Sequence, residues 1–269
     1  MERNAKYERL KGYLRAFGSV AVAFSGGVDS AFLLKAAKET LGDQAIAVTA
    51  RSCLMPCREF DEAEQFCAQE QIRQIICDVD PFLIDGFADN LPNRCYLCKK
   101  ELFKKIQDTA GKNGIAEVAE GSNLDDNGDY RPGMIAIREL GIKSPLQEVG
   151  FTKMEIREVS ERLGLPTWNK PSFACLASRF VYREKITPER LKMVERAEQI
   201  LAGLGFSQFR VRMHGDLARL EVLPQEFAKL LKYRELICRE LKELGFTYIS
   251  MDLAGYRTGS MNETLPGRE

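Results

Sequence analysis

The sequence predicts an α/β protein in two parts: a parallel sheet with helices on both faces over residues 1–180, then a smaller α+β module over 181–269. Three observations carry this. β-prone runs alternate with helical patterns through the first part, which demands crossover connections and hence parallel strands. The first run, 20–24, is continuously apolar, as suits a strand buried on both faces. Near Phe180 the pattern changes to strict alternation, the mark of strands with one polar face.

In chain order, Tyr7, Leu10, Leu14 and Phe17 recur at helical spacing and give a short amphipathic helix over 5–17. The strand at 20–24 runs into Ser25-Gly-Gly-Val-Asp-Ser30, and 31–41 reads as a helix. Strands follow at 45–49 and 72–79 with a helix at 59–70 between them; another helix opens near Cys95, and 115–119 is the fourth strand. Thr187 and Pro188 open a helix to about 204, with threonine as cap and proline at the first helical position. Segments 209–213 and 218–222 flank His214-Gly215-Asp216-Leu217 as a hairpin. A helix over 225–244 and a strand over 248–253 complete an α-β-β-α-β module with an antiparallel sheet.

Composition removes several classes of function. With 45% hydrophobic and 29% charged residues the chain buries an ordinary core. Lys+Arg and Asp+Glu both number 39, so there is no bulk positive field and no nucleic-acid partner is expected. Apolar stretches fall short of the roughly 18 residues a membrane span needs. Charges spread through the first 19 residues, unlike a signal peptide, so a cytoplasmic location and no membrane partner are expected. The eight cysteines then belong to a reducing compartment, where thiols bind metals or do chemistry more often than they form disulfides. A single histidine, His214, leaves histidine-based hydrolase templates poorly supported.

In Ser25-Gly26-Gly27-Val28-Asp29-Ser30 the glycines let backbone N–H groups turn toward an anion at the positive end of the next helix. Ser25 and Ser30 add hydroxyls. Asp29, at an exposed helix start, either caps the helix or binds Mg²⁺. Two glycines alone also suit a plain strand-to-helix turn; the strand before and the helix after favour a phosphate site. The segment resembles the PP-loop of the ATP pyrophosphatases, an adenine nucleotide alpha hydrolase-like fold that cleaves ATP between its α and β phosphates. The resemblance implies ATP as cofactor, adenine held by the backbone at Thr49, Ala50 and Arg51, and a pocket completed by Glu120-Gly121-Ser122-Asn123 and Asp125.

Cys95-Tyr-Leu-Cys98 stands at a helix start, where the helix dipole favours thiolate, and Cys175 lies in Lys170-Pro-Ser-Phe-Ala-Cys-Leu-Ala-Ser-Arg179. Read alone, Cys-x-x-Cys fits a redox pair, half a zinc site or core thiols. With these segments the chain resembles the LarE-type ATP-dependent sulfur transferases over nearly its whole length, including Ser144-Pro-Leu, Arg210 to His214 and Asp252-Leu-Ala-Gly-Tyr-Arg-Thr-Gly-Ser-Met261. Such enzymes convert a pyridinium carboxylate mononucleotide to a thiocarboxylate for the nickel-pincer cofactor. The resemblance implies that Cys175 either surrenders its own sulfur or, with Cys95 and Cys98, holds a 4Fe-4S cluster. Three thiolates on a cubane leave one iron open to sulfide, which favours the cluster. Cys53 and Cys57 depart from the family pattern and read as loop thiols, with ligation or a persulfide relay as alternatives; Cys67, Cys77 and Cys238 read as core.

In 209–214, period two sets Phe209, Val211 and Met213 on one face and Arg210, Arg212 and His214 on the other. That second face is either solvated or, since two arginines bind phosphate well, a phosphate site. The family resemblance adds Ser178 and Arg257 as phosphate contacts, and Glu198 and Glu221 are weaker metal candidates. The expected reaction adenylates the carboxylate, releases pyrophosphate with Mg²⁺ assistance, and expels AMP as sulfide or another sulfur donor's atom arrives. A homo-oligomer is expected, with the C-terminal sheet as the available interface. The rivals are a tRNA thiolation enzyme, an ammonia-using ligase of the NAD or GMP synthetase kind, and a non-catalytic iron–sulfur or zinc module. Zero net charge weighs against the first, the cysteines against the second, and the glycine loop against the third.

Overall fold

The computed structural model describes residues 2–128, 132–171, 174–257 and 259–264. The chain divides into two compact units, residues 1–84 with 95–173, and residues 85–94 with 174–269. A single cut at 180 therefore misses two features. The change of unit comes at 173/174, and ten residues from the middle of the first stretch belong to the second unit. The reason is hydrogen bonding: buried Asn90 donates to Val181 O at 2.6 Å, Arg183 N donates to Asn90 O at 3.0 Å, and Ile186 N to Ala88 O at 2.9 Å.

The first unit runs α1 (Glu2–Arg15), β1 (Val20–Ala23), α2 (Val28–Leu41), β2 (Ala45–Arg51), α3 (Cys57–Gln69), β3 (Gln74–Asp78), α4 (Arg94–Lys112), β4 (Val118–Ala119), α5 (Gly133–Glu139), α6 (Pro145–Val149) and α7 (Lys153–Arg162). Its four strands are parallel, in the order β3-β2-β1-β4. The continuous apolar run in β1 follows from burial on both sides. Val20 and Val22 pack with Leu10, Leu14, Phe32, Phe66 and Val159 on one face. Ala21, Ile46 and Val48 join Phe103, Ile106 and Ile137 on the other. Each fully buried leucine or phenylalanine here contributes roughly 1.5–3 kcal/mol. Among the described residues, no helix is long and apolar enough to cross a membrane.

The second unit contains α8 (Pro188–Gly203), β5 (Phe209–His214), β6 (Leu217–Val222), α9 (Phe227–Lys232), α10 (Arg234–Glu243) and β7 (Tyr248–Met251). Thr187 caps α8, its hydroxyl accepting from Arg190 N, as Thr-Pro predicts. β5 and β6 are antiparallel with His214 opposite Leu217, so the turn is Gly215-Asp216 alone. β6 and β7, however, are parallel, in the order β5-β6-β7. The expected all-antiparallel sheet is corrected to a mixed one, because the helical connection from β6 to β7 is a crossover. The helix expected over 225–244 is divided at Tyr233 into α9 and α10.

Candidate active site

The loop Ser25–Ser30 carries β1 into α2. Gly26 has φ +71°, a left-handed conformation that suits glycine. A Cβ there would also lie 3.1 Å from Ala63 Cβ and 3.3 Å from Glu59 O on α3. Ala31 N makes the first helical bond, to Gly27 O at 2.9 Å, so the amides of 28–30 precede the intrahelical ladder at the positive end of α2. Ser30 Oγ donates to Gly27 O at 3.2 Å and lies 3.3 Å from Ser25 Oγ. Gly121, just after β4, approaches most closely: a Cβ would stand 2.9 Å from Ser30 N and 3.1 Å from Asp29 C.

Three side chains fix this loop beyond the motif itself. Lys153 and Asn123 both donate to the Asp29 carboxylate, the latter at 3.4 Å. Asp29 is thus only 23% exposed, which corrects the expectation of an exposed helix start. Burial pushes its carboxyl above the usual range, and the Lys153 charge opposes that rise. Lys170 Nζ donates to Gly26 O at 3.0 Å and pairs with Glu59 at 2.7 Å and Glu62 at 2.6 Å. Lys153 and Lys170 escaped the sequence reading. The one available signal was the Thr152-Lys-Met-Glu155 capping box, formed in full here, which places Lys153 at the first position of α7.

The remaining candidates of this unit have structural partners. Asp125 Oδ2 accepts from Lys153 N at 2.8 Å and so anchors the start of α7. Thr49 is fully buried, its hydroxyl accepting from Gln74 Nε2 at 2.8 Å. Exposed Arg51 donates through Nε to Asp78 Oδ1 at 2.6 Å across β2 and β3.

In the second unit the charged face of β5 is not solvated. Segment 174–180 packs on it together with Tyr256 and Ser260, and Arg179, Arg210, Arg212, Glu198 and Glu221 are all buried. Arg179 forms a two-pronged pair with Glu198, at 2.8 and 2.9 Å. Arg212 donates to Glu221 at 3.0 Å, Ser178 O at 2.9 Å and Ser260 Oγ at 3.0 Å. Ser260 Oγ in turn donates to Glu221 at 2.8 Å. Arg210 lies 5.2 Å from the centre of the Tyr256 ring; burial first, then the Arg179 charge, pulls its guanidinium down to about 10. Alternation located the face correctly, but period two carries no record of what packs on it. Glu198 and Glu221, considered as metal contacts, are engaged by arginines. Arg257 stays partly exposed while pairing with Glu263 at 2.6 Å and Asp252 at 3.2 Å.

Cys95 and Cys98 are the second and fifth residues of α4, about one turn apart and on the same side. Arg94, the residue before Cys95, is buried, and its guanidinium donates to Asn90 Oδ1 and, at 2.9 Å, to Ala177 O, two residues after Cys175. Cys175 itself is exposed, as are Cys53, Cys57 and Cys95. Cys67 and Cys77 are buried, as expected of core thiols; burial, with help from Glu64, raises the Cys67 thiol to about 12. Cys238 is only half-buried. Thiol donors suit an iron–sulfur cluster chemically. Among the described residues, however, no three histidine, cysteine or acidic side chains converge as a metal-holding group.

No protein-family model matches the sequence. Against curated proteins, the chain is 38% identical over 253 residues to the pyridinium-3,5-bisthiocarboxylic acid mononucleotide synthase of Lactiplantibacillus plantarum, covering 94% of this chain and 92% of that protein. The chain belongs to the LarE family. A second member-like relative, an uncharacterized Synechocystis protein, is 39% identical over 264 residues, 97% of this chain and 98% of its own length. The tRNA-specific 2-thiouridylase of Herpetosiphon aurantiacus is 26% identical over 219 residues, covering 65% of this chain and 60% of that enzyme. Membership of the LarE family accounts for the fold of the first unit as a PP-loop fold.

Proposed function

We propose that this chain is an ATP-dependent sulfur transferase that adenylates a pyridinium carboxylate mononucleotide and converts it to a thiocarboxylate. The observation that carries the reading is the near full-length similarity to the Lactiplantibacillus synthase. The loop geometry supplies the physical support: glycine backbone, first-turn amides of α2 and paired hydroxyls make a cradle for phosphates. Mg²⁺ bound with the nucleotide would neutralise phosphate charge, and Asp29 is the carboxylate in the cradle that would hold it.

In the first step a carboxylate oxygen attacks the α-phosphorus and the bond to the β-phosphate breaks, giving acyl-adenylate and pyrophosphate. The loop amides stabilise the charge left on pyrophosphate. Sulfur then forms a bond to the carbonyl carbon and AMP leaves. For the second unit we assign recognition of the substrate phosphate to Ser178 and Arg257, the more accessible groups. Arg210 and Arg212 are buried, Arg212 holding the Ser178 backbone. Nucleotide activation then belongs to the PP-loop unit and substrate recognition to the second.

Two sulfur sources fit the thiols. Cys95, Cys98 and Cys175 would hold a 4Fe-4S cluster, which when bound supplies an iron site open to sulfide. Support comes from the exposure of Cys95 and Cys175 and from the thiol chemistry of the three residues. Alternatively, exposed Cys175 attacks the carbonyl itself. A thioester forms, a base removes the Cα proton, and the Cβ–S bond breaks to leave dehydroalanine and thiocarboxylate.

Anaerobically purified protein turned over with ATP, Mg²⁺, the mononucleotide and excess sulfide separates these routes. AMP and pyrophosphate are the expected products, and ADP would overturn adenylation. Many thiocarboxylates per chain at unchanged protein mass, lost in Cys95→Ala, Cys98→Ala and Cys175→Ala together with bound iron, is the cluster result. Stoichiometric dehydroalanine at 175, with one turnover surviving in Cys95→Ala, selects the sacrificial route.

A further inference from the structure

We infer that Lys170 is a positioning residue for the phosphate loop, setting the orientation of the Gly26–Gly27 peptide from the stretch of chain that leads to Cys175. The inference rests on the ATP-dependent reading above and concerns a residue outside the glycine motif. Lys170 is 10% exposed, and its ammonium is shared among Gly26 O, Glu59 and Glu62. A lysine so enclosed has a definite geometry, because both carboxylates belong to α3 and fix it against that helix. The same helix meets Gly26 through Ala63 and the Glu59 carbonyl. At the other end, Arg157 on α7 donates to Trp168 O and Lys170 O, each at 2.8 Å, so the backbone that presents Lys170 is held as well.

The consequence for the loop comes from peptide geometry. No peptide bond of the described chain is cis, and in a planar trans peptide the carbonyl and the following N–H point to opposite sides. By binding Gly26 O, Lys170 holds that carbonyl on its own side and leaves the Gly27 N–H aimed the other way. Glycine flanks this peptide on both sides, so the two rotations that reorient it, ψ of Gly26 and φ of Gly27, meet no side chain. A flipped peptide would present a carbonyl lone pair where an anion needs a donor. Lys170 therefore acts on phosphate binding without touching phosphate, its charge already balanced by Glu59 and Glu62.

The test is calorimetric binding of inorganic pyrophosphate and of AMP to the full chain, with AMP formation assayed in parallel. Lys170→Met should weaken pyrophosphate binding about tenfold or more, the scale of one lost oriented donor. AMP affinity should stay within about twofold. Lys170→Arg, which keeps a cation and donors, should recover most of the pyrophosphate affinity. Because Lys170→Met strands buried Glu59 without its cation, Lys170→Met with Glu59→Gln provides a second form in which that carboxylate is gone, and it should show the same selective loss. Unchanged pyrophosphate affinity in either methionine form, or equal loss of pyrophosphate and AMP, overturns the inference. A wild-type chain that binds no pyrophosphate and makes no AMP instead overturns the ATP reading itself, so the two failures are told apart.

Discussion

In the first unit, the proposed phosphate site is a glycine turn whose amides stand ahead of the helical ladder, with Asp29 and Lys153 paired at its side and still partly reachable by solvent. In the second, Arg179 and Glu198, and Arg212 and Glu221, are closed into pairs with almost no exposed surface. The loop commits backbone and keeps its side chains exchangeable, while the arginine layer commits its side chains to one another. The difference separates two uses of charge: an anion site must leave donors uncommitted, whereas a buried layer must satisfy every donor or lose stability.

The largest effect expected from this contrast is in the arginine layer. Glu221 accepts from Arg212, Arg219 and Ser260, so Glu221→Ala leaves buried Arg212 uncompensated. A cost of about 3–5 kcal/mol in denaturant unfolding follows; a loss below about 1 kcal/mol would mean the layer behaves like a surface. The next effect is in the loop. Gly121→Ala drives a Cβ to 2.9 Å from Ser30 N, a backbone atom that cannot step aside without moving α2. About 1–3 kcal/mol of stability should be lost, and ATP binding should fall beyond what a matched drop in stability produces; unchanged ATP affinity would show the loop to be pliant.

The smallest effect concerns pH. Burial raises the Asp29 carboxyl in the folded state above its unfolded value, so the folded chain holds the proton to higher pH. The ionised form consequently costs stability, and the cost grows as pH rises from the ordinary carboxylate value through the raised one. Asp29→Asn should then be no less stable than the parent at neutral pH, with the difference vanishing below the ordinary carboxylate range, while adenylation is lost. A marked loss of melting temperature at neutral pH would instead make Asp29 a structural residue.

How much of this was legible in the sequence follows the same division. The parallel sheet and the turn from β1 to α2 were readable, because a doubly buried strand and a glycine turn are written in adjacent residues. Lys170 and Lys153 were not, since each meets the loop across more than 120 positions of chain; nothing local marks Lys170 as a lysine that will be enclosed, and the capping box marks only the helix position of Lys153. The sides of β5 were readable from alternation, yet their burial was not, because it depends on 174–180, Tyr256 and Ser260 packing on them. β7 reads as a strand from composition alone, but its parallel pairing depends on the crossover before it. The place of 85–94 was equally hidden: Asn90 and Arg94 are ordinary polar residues until Val181 and Ala177 supply their carbonyl partners.

That borrowed segment has a consequence for synthesis. A ribosome adding about 5–20 residues per second releases residues 85–94 several seconds before Ala174 exists to receive them. Until then the carbonyls of Val181 and Ala177 that Asn90 and Arg94 bond in the folded chain do not exist, although α4, which begins at Arg94, can already be docking on its sheet. The second unit cannot be completed by the C-terminal stretch alone, however well that stretch folds. A gene fragment encoding only 174–269 should yield a product missing the carbonyls and donors of 85–94, and supplying that decapeptide separately is the natural way to restore them. The nascent chain thus carries an early, unfilled socket, and the last third of translation is what fills it.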